Sequence, residues 1–90
     1  MATFSVYPDG SGGDRREIEA PTARQAAEAY WTERFMEGEA RTNDRNQVIV
    51  EHDDGPRVDS SATWHTDEDG TFATFLVSVT RVEVSAVEAK

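Results

Sequence analysis

The sequence has no cysteine, and its only lysine is the last of 90 residues. Without cysteine there is neither a disulfide framework nor a thiolate metal site. Long apolar runs are missing too. None approaches the ~20 residues that a membrane-crossing helix needs. Met1 to Tyr7 has neither the basic start nor the apolar stretch of a secretory signal. The expected compartment is therefore the cytoplasm. Positive charge is scarce: eight arginines and Lys90 face eighteen acidic residues, for a net charge of −9. Such a chain is repelled by nucleic-acid backbones and anionic membranes, so no direct nucleic-acid or membrane partner is expected. A basic partner surface would attract it.

Apolar anchors are present. Hydrophobic residues make up 37% of the chain and include Trp31, Trp64, Tyr7, Tyr30 and four phenylalanines. Ninety residues make one domain, 1–90, which hides roughly 64% of the surface its unfolded form exposes. That suits a thin core between a sheet and a helix, with little room for a deep pocket.

The pattern predicts an α+β fold: an antiparallel sheet of four to five strands in ββαβββ order, with one amphipathic helix packed on one face. Thr3–Tyr7 alternates as a first strand, and the glycine-rich Pro8–Asp14 is a loop. Its glycines lead into a short strand around Glu17–Ala20 rather than into a helix, and no Gly-Lys-Ser/Thr follows, so a phosphate cradle is not indicated. Thr22 is a good helix N-cap, with Gln25 three residues on. Ala23, Ala26, Ala27, Tyr30, Trp31 and Phe35 then share one helical face as far as Gly38, a natural stop. Arg24, Glu28, Glu33 and Glu37 fall opposite, and Arg24 and Glu28 form an i, i+4 pair. Gln47–His52 reads as a strand, Asp53–Pro56 as a hairpin turn, Arg57–Thr66 as a weaker strand and Asp67–Gly70 as a second hairpin turn. In Thr71–Val87 the apolar positions switch from odd (Phe75, Val77, Val79) to even (Val82, Val84). This predicts a bulge or bend near Thr80-Arg81.

Catalytic and metal signatures are weak. His52 and His65 have acidic neighbours, but neither has the i, i+2 or i, i+4 histidine partner typical of a metal site. Asp67–Gly70 lacks the spacing of a calcium loop. No serine sits in a nucleophile motif with a marked base. The expectation is a non-enzymatic protein with no metal and no cofactor.

The acidic distribution stands out instead. Glu51, Asp53, Asp54, Asp59, Asp67, Glu68 and Asp69 face Arg57 alone between positions 51 and 69. In a three-strand meander they would form two acidic tips at opposite ends, with Asp59 between, and they are the candidate partner-binding residues. Turn geometry alone also favours Asp at such places.

In layout and charge the chain resembles small acidic proteins of phages and other mobile elements, among them anti-CRISPR proteins that block type I surveillance complexes. The resemblance rests on the Thr3–Tyr7 strand with its loop to Gly13, the Glu17–Ala20 strand entering the helix at Thr22, and the Val48–Val50 and Thr71–Val84 strands. It carries no diagnostic motif and transfers no functional residue. It implies an inhibitor in the host cytoplasm that covers a basic nucleic-acid-binding surface on a host protein complex. The alternative is an accessory or scaffold subunit, dimeric through a sheet edge or an aromatic patch.

Overall fold

The computed structural model describes residues 1–10, 13–38, 44–53, 55–80 and 83–89. The fold is α+β, in the order β1 (Ala2–Pro8), β2 (Arg16–Ala20), α1 (Ala23–Met36), β3 (Asp44–Glu51), a 3-10 turn (Gly55–Arg57), β4 (Trp64–Asp67), β5 (Gly70–Thr80) and β6 (Glu83–Glu88). All six strands pair antiparallel in one sheet. Among the described residues no helix is long and apolar enough to cross a membrane.

Helix α1 forms where capping and periodicity place it. Thr22 has extended backbone, and its Oγ1 accepts from the Gln25 N–H at 3.1 Å. At the other end Gly38 takes φ +82°, and its N–H donates to Phe35 O at 3.1 Å. That left-handed backbone favours glycine. Ala23, Ala26, Ala27, Tyr30 and Trp31 are buried on the sheet, with Phe35 half-buried beside them. Charged side chains then fasten both ends of the helix. Arg24 pairs with Glu88 of β6 at 3.7 Å instead of with Glu28. Arg16 of β2 grips Glu37 through two bonds of 2.9 Å and reaches Asp14 at 3.1 Å. The Arg16 hydrogen bonds hold the carboxyls of Glu37 and Asp14 below the usual carboxylate range.

The sheet runs β2-β1-β3-β5-β4, and β6 also pairs with β5. One flank of β5 meets β3. The other is shared end to end, by β4 along residues 70–73 and by β6 along residues 75–80. Alternate residues face the helix, as the two-residue period of a strand requires. Phe4, Val6, Val48, Val50, Phe75, Val77 and Val79 are fully buried there.

Three local expectations change. The parity switch near Thr80-Arg81 is a chain reversal, not a bulge or bend within one strand: β5 ends at Thr80, which pairs with Glu83 of β6. Arg81 and Val82 lie outside the described residues. A two-residue connection pairs odd positions with even ones, so it moves the buried set just as a bulge would. Asp53–Pro56 does not close a hairpin. Gly55 is buried at φ +50° and opens the 3-10 turn, its Cα so close to Thr71 that a Cβ would lie 2.5 Å from the Thr71 methyl. Finally, the strand expected over Arg57–Thr66 shrinks to Trp64–Asp67, so β3 pairs with β5 and the meander is not formed.

Candidate functional site

Residues between the core positions emerge on the sheet face that α1 does not cover, and the strand registers arrange them in rows. One row crosses five strands: Glu17, Ser5, Glu51, Phe72 and His65. The next holds Tyr7, Ile49 and Thr74, and a third holds Gln47, Leu76 and Val87. Tyr7, Ile49, Phe72 and Leu76 are half-exposed, and Val87 keeps 52% of its surface. This face therefore has an apolar centre, with carboxylates toward one end.

At that end lies an open depression of ≈ 850 Å³. Glu17, Glu51, Asp53 and Asp69 line it, and Arg15 is the one cation among its described lining residues. Glu51 is already partnered. Arg15 Nη1 donates to its Oε2 at 2.9 Å and to Ser5 Oγ at 3.0 Å, and the Tyr7 hydroxyl donates to its Oε1 at 2.7 Å. The guanidinium also sits 4.3 Å from the centre of the Tyr7 ring, a cation–π contact. Burial, followed by the bond to Glu51 and its charge, pushes the Tyr7 phenol up to about 12. Glu17, Asp53 and Asp69 carry the excess negative charge around this neutralised centre.

Asp53 and Asp69 were expected at opposite tips. They share one depression because β3 ends beside the start of β5, so the 53 and 67–70 connections leave the sheet at the same end. Asp67 is exposed and fixes the second turn, its Oδ1 accepting from the N–H groups of Asp69 at 2.8 Å and Gly70 at 3.1 Å. Glu68 is exposed in the same turn. Asp54 lies outside the described residues.

Asp59 leaves the candidate set. It is 3% exposed, and its carboxylate accepts from the Ala23 N–H at 2.7 Å, the Ser61 N–H at 3.0 Å and the Ser61 hydroxyl at 2.6 Å. Burial pushes its carboxyl up, but the Ser61 hydroxyl and the backbone N–H groups of Ala23, Ser61 and Arg24 outweigh burial and hold it below the usual range. Asp59 satisfies the free donors at the start of α1, where the helix dipole also favours a negative charge. Its carbonyl accepts from Trp64 Nε1 at 2.8 Å. A partner cannot reach this carboxylate.

No protein-family model matches the chain, and no curated protein or solved structure matches it significantly.

The histidines go to different aromatic neighbours: His52 lies 4.9 Å from Phe4 and His65 5.6 Å from Phe72, measured between ring centres. Among the described residues no three His, Asp or Glu side chains gather as metal ligands would. Arg15, Glu17 and Tyr7 escaped the sequence reading as site residues. The cue was strand parity: pairing Thr3–Tyr7 with Glu17–Ala20 puts the odd positions of both on one face. Of the helix carboxylates, Glu33 and Glu37 lie toward Arg16 at 3.8 and 2.9 Å, which lowers the net charge of that surface.

Proposed function

We propose that the protein acts by stoichiometric binding rather than catalysis, laying the open face of its sheet on a protein surface rich in arginine or lysine. The convergence of Glu17, Glu51, Asp53 and Asp69 around one depression, with Arg15 the one cation among the described lining residues, carries this reading. With the net charge of −9 it favours a cationic partner and opposes nucleic acid. The class of target in view is a basic nucleic-acid-binding channel on a host complex, such as a CRISPR surveillance complex blocked by a phage-type inhibitor. There the acidic end would occupy phosphate positions and the apolar rows would add salt-insensitive contact.

The apolar rows favour a second reading, an accessory subunit that dimerises through Ile49, Leu76 and Val87. Stacking two copies would also bring two charges of −9 together. The two readings respond differently to salt. A partner recovered from the native host is purified, and its affinity for wild type and for the triple variant Glu17→Gln, Asp53→Asn, Asp69→Asn is measured at low and high salt. Exposed charges contribute about 0.5 kcal/mol each, so the triple variant should bind about tenfold more weakly, with a shallower salt dependence. Unchanged affinity in a folded variant would overturn the acidic-face reading.

A further inference from the structure

The edge of the sheet next to Glu17 offers a second surface. Strand β2 is the outer strand of the sheet: β1 covers one flank, and no described strand pairs with the other. The backbone N–H and C=O groups along such a flank can accept an added strand. Beside it, between β2 and α1, runs an open groove of ≈ 480 Å³. Ala20, Pro21 and Ala29 give it small, apolar walls, and Glu19 and Glu28 stand on its rim. Pro21 stops β2 after five residues, which limits the free edge to a short segment.

A strand laid along β2 would lie about 4.8 Å away and turn its side chains alternately to the two sheet faces. On the helix face they would enter the groove, where the small walls suit side chains of valine size. On the other face they would meet Glu17 and Glu19, which lie two positions apart and so on one side of β2. The edge thus specifies an alternation, apolar toward the helix and cationic toward the open face. A second copy of the chain fits poorly. Two β2 strands paired antiparallel about Ile18 would set Glu17 of each against Glu19 of the other, and like charges directly opposite are unfavourable.

We propose that the β2 edge and its groove take an extended segment of a partner protein as an added strand, one in which basic and small apolar residues alternate. This surface shares Glu17 with the depression but not Asp53 or Asp69, so the double variant Asp53→Asn, Asp69→Asn tells the two proposals apart.

The probe is a capped seven-residue peptide, Arg-Val-Arg-Val-Arg-Val-Arg, titrated into the full-length protein and followed by amide NMR and calorimetry. Expected are saturable shifts confined to residues 16–20 and 25–32, and at least tenfold weaker binding for Glu19→Lys and for the groove-filling Ala29→Gln. N-methylation at either the arginines or the valines should also weaken binding at least tenfold, because one of these sets must face β2. Asp53→Asn with Asp69→Asn should leave the affinity within twofold. Several results would overturn the proposal. These are no saturable binding below millimolar concentration, full affinity for both N-methylated peptides, a footprint at residues 51–53 and 69–71, or a self-dimer that Ala29→Gln dissolves, which would make a second copy the occupant.

Discussion

The two faces of the sheet are built from the same strands but meet different surroundings. Toward α1, Phe4, Val6, Val48, Val50 and Phe75 have no exposed area. Toward the open side, their immediate neighbours Ser5, Tyr7, Ile49, Thr74 and Leu76 remain half-exposed. The alternation of strand side chains separates them, and helix α1 decides which set becomes core. The carboxylates divide in the same way. Asp59 is drawn inside to hold the start of α1, while Asp53 and Asp69 stay at the surface around the depression. One acid is spent on folding, and the others remain available to a partner.

The largest expected contrast is between adjacent residues of β5. Phe75→Ala empties a fully buried site and should cost about 3–5 kcal/mol, whereas Leu76→Ala on the open face should cost under about 1 kcal/mol. Urea unfolding of both variants measures the difference. Similar costs would mean that the open face is covered in solution.

A smaller effect separates the two kinds of aspartate. Asp59→Ala removes a charge-assisted cap and leaves the Ala23 N–H without its acceptor, at a cost of about 2 kcal/mol. Asp69→Ala should stay within about 0.5 kcal/mol. The folded carboxyl of Asp59 lies below its ordinary 3.8. Its contribution is therefore complete above pH 3.8 and lost as pH falls through the lower folded value. Thermal melts from pH 6 to pH 2 should show less acid sensitivity for Asp59→Asn than for wild type.

The smallest contrast lies within the open face. Tyr7 should titrate at about 12, and Glu51→Gln should lower it part of the way, because the burial that contributes most remains while the bond to Glu51 and its charge are lost. The raised value means that any stability tied to the protonated phenol is present below pH 10 and lost as pH rises toward 12. Ring chemical shifts of Tyr7 follow this directly. A midpoint unmoved by Glu51→Gln would break the Tyr7–Glu51–Arg15 arrangement.

Much of this was legible in the sequence. The helix was, because Thr22, Gly38 and the alanine–aromatic stripe act locally and agree with one another. The β5–β6 reversal was half legible: the parity switch was visible, but a bulge and a chain reversal leave the same trace. Asp59 was not legible, because its partner Ala23 lies 36 positions away. Asp59-Ser60-Ser61 did contain one cue, since an aspartate two residues before a serine N–H closes a side-chain turn more readily than it continues a strand. The depression was hidden for a related reason. Once Arg57–Thr63 gave up its strand, β3 paired with β5, and connections assigned to opposite ends met at one.

The position of β5 also bears on how the chain is made. It supplies Phe75, Val77 and Val79 to the floor beneath the helix and joins β3 to both β4 and β6. A ribosome releases it only after β1, β2, all of α1, β3 and β4 have emerged. Until then Val48 and Val50 have only β1 beside them, and the helix stripe has only β1, β2 and β3 to pack on. The nascent amino-terminal half therefore carries part of its floor from the start and gains the rest only when that strand arrives.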